Sequence, residues 1–141
     1  MERFFSKVDK NIILYSLQRK NLIKNSRDDL SPDGECLQVS SKKLKAGQVF
    51  KPHRHLPISR NTLKTQETWI ILDGEIRAVF YDIDNSVYRE EILKSGDCVV
   101  CYNAGHGFEV IEDNTILYEV KNGPYYGLKK DKEGINEDTP L

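Results

Sequence analysis

The chain is poor in the residues that announce a function. It has one tryptophan, one methionine, three histidines and three cysteines among 141 residues. Net charge is also scarce: 21 Lys and Arg against 22 Asp and Glu leave −1. With no net positive field to gather phosphates, a dedicated nucleic-acid binder is not expected, although a balanced total can hide a basic patch on one face. Long apolar runs are absent; Trp69-Ile70-Ile71-Leu72 is far too short to span a bilayer, so membrane insertion is not expected. The opening Met1-Glu2-Arg3-Phe4-Phe5-Ser6-Lys7 has no apolar signal-peptide core. An odd number of cysteines without an export signal fits free thiols in a reducing cytoplasm. There is no Gly-rich phosphate loop, Gly-x-Ser-x-Gly elbow, Cys-His nucleophile signature, internal repeat or heptad pattern. What remains is 38% hydrophobic and 30% charged, the composition of one soluble folded domain.

The middle of the chain is punctuated regularly. Turn signals fall at Asp73-Gly74, Asp84-Asn85-Ser86, Ser95-Gly96-Asp97, Asn103-Ala104-Gly105, Asp113-Asn114 and Asn122-Gly123-Pro124. Their spacing of roughly 9 to 11 residues is the rhythm of an all-β sandwich or barrel. Strands are expected over residues 67–72, 76–81, 87–93, 98–102, 108–111 and 115–121, and upstream over 36–45. Ile76, Ala78 and Phe80 share one strand face, and Arg77, Val79 and Tyr81 the other. Residues 11–22 suit a strand or a short helix, and 24–34 a polar loop or arm. The expected organisation is an N-terminal arm (1–35), a β-barrel (36–126) and a polar C-terminal tail (127–141).

The histidines are the most informative residues. His53-Arg54-His55 places two imidazoles two positions apart, on one face if the segment is a strand. Glu67 opens the next apolar strand, and His106 follows the strand at 98–102 and a turn. Three imidazoles and a carboxylate from adjacent strands can converge inside a small barrel. They suit one divalent transition metal ion, with Fe, Mn, Ni and Zn all compatible with such ligands. The plainer alternative is a surface His-x-His pair and a solvated glutamate. Cys98-Val99-Val100-Cys101 has redox-motif spacing, but positions three apart in a strand point to opposite faces, so both thiols read as packing residues.

The spacing around these residues resembles the cupin superfamily. Its first motif is glycine, five residues, His-x-His, a short gap, glutamate, six residues and glycine. This chain has Gly47, five residues, His53-Arg54-His55, eleven residues, Glu67, six residues and Gly74. The enlarged gap, residues 56–66, reads as a loop at the barrel mouth. The second motif is present in degenerate form as Gly96, five residues and Tyr102-Asn103-Ala104-Gly105-His106: Tyr102 replaces the motif's proline, one residue is missing before the histidine, and Val110 stands for its asparagine. Leu117-Tyr118-Glu119-Val120-Lys121-Asn122-Gly123-Pro124-Tyr125, then Asp131-Lys132, is similar to the ending of WbuC-type cupin metalloproteins, as are Pro52–His55 and the enlarged gap. The resemblance implies a single cupin (double-stranded β-helix, jelly-roll) barrel with metal ligands His53, His55, Glu67 and His106. It also implies a role in bacterial surface-polysaccharide metabolism. A homodimer is implied too, with N-terminal strands pairing across the interface; residues 12–15 could supply one.

A metal so held would polarise a carbonyl or hydroxyl oxygen or activate water. A sugar-like ligand, or a hydroxy or keto acid, would chelate through adjacent oxygens. Strand parity puts Lys51 on the face of His53, and Trp69 inward with Glu67. Trp69 is a candidate sugar platform, Arg77 an anion contact, Tyr102 a hydrogen-bond donor at the site mouth, and Glu119 a polar contact sharing its face with Lys121. The plainer readings are core packing, a solvated face and a cross-strand ion pair. Two further functions compete. One is a metal-free nucleotide-sugar ketoisomerase or epimerase with a carboxylate-tuned histidine. The other is a non-catalytic small-molecule-binding module.

Overall fold

Alternating apolar residues between turns fold here into antiparallel sheets. The computed structural model describes residues 1–135. Among these, the strands are β1 (Glu2–Phe5), β2 (Ile13–Gln18), β3 (Asp28–Asp29), β4 (Ser40–Ser41), β5 (Glu67–Asp73), β6 (Glu75–Tyr81), β7 (Val87–Lys94), β8 (Cys98–Cys101), β9 (Gly105–Val110) and β10 (Ile116–Lys121). A 3-10 turn spans Lys20–Leu22, and a single-turn helix, α1, spans Leu128–Asp131.

One sheet runs β1-β2-β8-β5-β10, a second β7-β6-β9, and β3 with β4 makes a small ribbon. From β5 onward the chain crosses between the two larger sheets, with β5, β8 and β10 in the first and β6, β7 and β9 in the second. The β5–β6 connection is tight because Gly74 sits at φ +79°, where a side chain is strained. A Cβ there would also approach Thr115 Oγ1 to 2.3 Å.

The core lies between the two larger sheets. Trp69 and Ile71 of β5, Ile76, Ala78 and Phe80 of β6, and Val99 and Cys101 of β8 enter one cluster with Phe4, Tyr15 and Leu17. Phe4 stacks on Tyr15 at 4.4 Å and Tyr15 on Phe80 at 4.0 Å, so one aromatic column joins β1, β2 and β6. Each buried large side chain contributes roughly 1.5–3 kcal/mol. The opposite face of β8 supports a second cluster: Val100 and Tyr102 pack with Ile13 and Leu30, flanked by Leu37, Val39 and Cys98. Cys98 and Cys101 therefore serve different cores, as strand parity requires.

The expected strands from residue 67 onward are all present, with shifted ends. The upstream third differs. Residues 36–45 contribute only Ser40–Ser41, paired to Asp28–Asp29. Residues 1–35 do not form an arm apart from the sheets: β1 and β2 complete the five-stranded sheet. β2 is hydrogen-bonded to β1 on one side and, from Tyr15 onward, to β8 on the other, so β1 is the outer strand at this end of the sheet. Residues 42–65 form no strand and are exposed throughout. The expected C-terminal tail is structured as far as 135; 136–141 lie outside the described residues. No helix among the described residues is long and apolar enough to cross a membrane.

Candidate functional site

The two sheets bring polar groups together at one end of the core. Glu67 opens β5, the strand between β8 and β10, where it lies opposite Cys101 and Lys121. Its inward parity, shared with Trp69 and Ile71, buries the carboxylate at 4% exposure. A buried carboxylate needs partners. Trp69 donates its indole N–H to Glu67 Oε1 at 2.6 Å. On the other oxygen, Lys121 Nζ lies at 3.2 Å and Lys132 Nζ at 3.9 Å. His106, from β9 of the facing sheet, places Nε2 at 3.6 Å from the same Oε2.

The His106 ring is oriented from behind. Its Nδ1 lies 3.0 Å from the Ala104 carbonyl, so Nδ1 carries a hydrogen and donates it. A neutral ring would then aim its Nε2 lone pair at a carboxylate. A second proton converts that repulsion into an ion pair. Burial opposes the charge, but the Cys101 sulfur and the Glu67 carboxylate outweigh it and push the His106 pKa up to about 11. Burial also opposes charge on Glu67, yet His106, Glu119 and Trp69 hold its carboxyl well below the usual carboxylate range.

This cluster forms one wall of a cavity of about 550 Å³. Trp69 meets His106 edge-on at 5.1 Å and Phe108 at 4.9 Å. Glu119, paired to Lys121 at 2.8 Å, adds a second carboxylate. The C-terminal segment covers one side. Thr65 Oγ1 donates to Asp131 Oδ1 at 3.0 Å, and Ile135 seats on Gly105, where a Cβ would come within 2.3 Å of Ile135 Cδ1.

The structure gathers some of the sequence candidates and separates others. Glu67, His106, Trp69 and Glu119 share this cavity. His53, His55 and Lys51 do not: all three lie on the exposed 42–65 stretch, with the two imidazoles 5.4 Å apart and His53 Nδ1 against the Lys51 carbonyl. Among the described residues no three His, Cys, Asp or Glu side chains are grouped to hold a metal ion. Arg77 is engaged on the outside of the three-stranded sheet with Glu109 at 2.8 Å and Glu90 at 3.1 Å, away from the cavity. Tyr102 is not at the mouth; its hydroxyl donates to the Leu30 carbonyl at 3.0 Å within the second cluster. Trp69 is 2% exposed, so its face is core and its indole N–H positions Glu67. Phe108, only part-buried, is the aromatic side chain left to touch a ligand. Residue reading did not bring out Phe108 or Thr65. Neither carries a local signal, and each reaches the cavity through strand register and C-terminal packing. Comparison of the chain with protein-family models, curated proteins and solved structures finds no match.

Proposed function

We propose that the protein binds a small oxygen-rich metabolite, sugar-like or a hydroxy or keto acid, in this cavity, with His106 as a charged N–H donor held in place by Glu67. The observation that carries the reading is the pair itself on the wall of a cavity of about 550 Å³. At 3.6 Å, His106 Nε2 is beyond hydrogen-bond length from Glu67, so a ligand carbonyl or hydroxyl oxygen can take that N–H. Glu67 keeps Trp69 and Lys121 meanwhile, and its charge stays beside the imidazolium. A donor so held stabilises negative charge on the ligand oxygen. Alternating cations and carboxylates with one available aromatic ring match a polyhydroxylated ligand. The jelly-roll barrel belongs to the same proposal, supported by the chain's repeated crossing between two facing antiparallel sheets. So does the surface-polysaccharide setting, supported by β10: the stretch of WbuC-type likeness delivers Glu119 and Lys121 to the site.

The test is a thermal-shift screen with phosphate-free sugars and with hydroxy and keto acids. A ligand should raise the melting temperature of the wild type and not of a folded His106→Ala variant. No shift across these classes, or an equal shift in the variant, would contradict the reading.

A metal-binding reading has its own support. His106 donates Nδ1–H to a backbone carbonyl, the usual arrangement for a histidine that ligates through Nε2, and Glu67 adjoins it. His53 and His55 would have to complete the set, and β9 pairs only with β6 among the described residues, leaving an edge along which 42–65 could lie. A metal held there would act as a Lewis acid toward a ligand oxygen. Elemental mass spectrometry of untagged protein decides this. About one transition metal per chain, lost in a His53→Ala/His55→Ala variant, supports it. No metal after anaerobic reconstitution with iron, manganese, nickel and zinc sinks it.

A further inference from the structure

A cavity larger than that of the candidate site lies elsewhere. A groove of about 940 Å³ runs between the 3-10 turn at Lys20–Leu22, residues 42–43 and the β7–β8 turn. Five of its lining side chains are basic (Arg19, Lys20, Lys42, Lys43 and Lys94), and one, Asp97, is acidic. In a chain of net charge −1 this is a concentrated positive field, the kind of patch a balanced total conceals.

Its charges are not all spent internally. Arg19 is paired to Glu91 at 2.7 Å and Asp97 at 2.8 Å, and Lys94 to Glu75 at 2.8 Å. Lys20, Lys42 and Lys43 have no carboxylate within 4.0 Å among the described residues. The backbone beneath them is anchored. Lys20 N–H donates to Asp97 Oδ1 at 3.0 Å, and Lys43 N–H to the Asn25 carbonyl at 2.9 Å. The Lys20 stem lies across Gly96, where a Cβ would come within 2.3 Å of Lys20 Cδ, so the glycine sets the path of the lysine. Leu22 and Ile92, both exposed, add an apolar floor beside these ammonium groups.

We propose that this groove binds a phosphate-bearing small molecule, its phosphates on Lys20 and Lys43 and its less polar part against Leu22 and Ile92. Ammonium groups are point charges suited to phosphate oxygens, and the apolar floor favours a ligand larger than the phosphate alone. The site is separate from the His106–Glu67 cavity and does not depend on what that cavity binds.

Calorimetric titration of the full chain at low ionic strength tests this with two probes, pyrophosphate and ADP. Both should bind, ADP more tightly, and binding should weaken as salt is raised. Lys20→Ala/Lys43→Ala should weaken pyrophosphate binding by about tenfold, the product of two exposed ion pairs. His106→Ala should leave it unchanged. Lys20→Gln/Lys43→Gln, which keeps the side-chain bulk, serves if the alanine variant is misfolded by circular dichroism. The proposal is overturned if neither probe binds below about 5 mM, if the lysine variants bind as the wild type does, or if His106→Ala abolishes binding. It is equally overturned if only phosphatidic-acid vesicles or a single-stranded oligonucleotide are retained, since the groove would then serve a membrane or a nucleic acid.

Discussion

Trp69 gives its indole N–H to Glu67, the residue two positions before it on the same strand, at 2.6 Å. The single tryptophan of the chain thus both packs the core and holds the carboxylate of the candidate site. Because the His106 ring stands 5.1 Å from the indole, Trp69 fluorescence is a built-in reporter of the site. Replacing His106 by alanine should brighten it by removing a cationic quencher. Unchanged emission from a folded variant would mean that the ring is not held there in solution.

Removing the carboxylate should be costly. Glu67→Gln leaves the part-buried His106 and Lys121 without their common anion, a loss of about 2–4 kcal/mol after allowance for their partial exposure. Urea unfolding followed by Trp69 emission measures it. A loss under about 0.5 kcal/mol would show that water already screens these charges.

The same pair makes a signed prediction for pH. His106 titrates near 11 in the fold against an ordinary 6.5, because Cys101 and Glu67 outweigh the burial that opposes its charge. A raised folded pKa contributes stability in full below 6.5 and loses it as pH climbs toward 11. Glu67, against its own burial, is held below its ordinary 4.5, so its contribution is full above 4.5 and fades as pH falls. The stability gap between wild type and His106→Asn should therefore be widest between about pH 4.5 and 6.5 and narrow toward pH 10. Urea midpoints across pH check this, and a gap independent of pH would remove the ion pair from the account.

Cysteine labelling should separate the three thiols. Burial pushes the Cys98 thiol up to about 12, and Cys101 is 3% exposed. Iodoacetamide near pH 8 should modify Cys36 first in the native protein and all three after denaturation. A Cys98–Cys101 disulfide should not form, since their side chains enter different cores. Mass spectrometry of native and unfolded samples reads both outcomes.

The C-terminal cover depends on a missing side chain. Gly105→Ala should displace Ile135 from β9 and speed tryptic cleavage at Lys129, Lys130 and Lys132, while global stability falls by no more than about 1 kcal/mol. Cleavage at the wild-type rate would mean that Thr65–Asp131 and its neighbours hold the segment without Ile135.

Residue alternation alone determined much of this protein. The inward set Ile76, Ala78 and Phe80, the shared face of Glu67 and Trp69, and the opposed faces of Cys98 and Cys101 follow from the period of two in a strand, a local property. The two cysteines and the two core clusters they enter bear this out. Tertiary structure decided which faces meet. His106 reaches Glu67 only because β9 and β5 lie in facing sheets, and Lys121 reaches it only through the register of β10 on β5. Motif position puts Tyr102 at a site mouth, but the fold turns its hydroxyl onto the Leu30 carbonyl and Ser16 instead. His53 and His55 have favourable spacing along the chain and no strand to carry it, so their imidazoles stay with the exposed 42–65 stretch. The lysine groove was invisible in a balanced charge count, because Lys20, Lys42, Lys43 and Lys94 become neighbours only through contacts distant in sequence. Spacing specifies a local face; register and the crossing between sheets specify what that face meets.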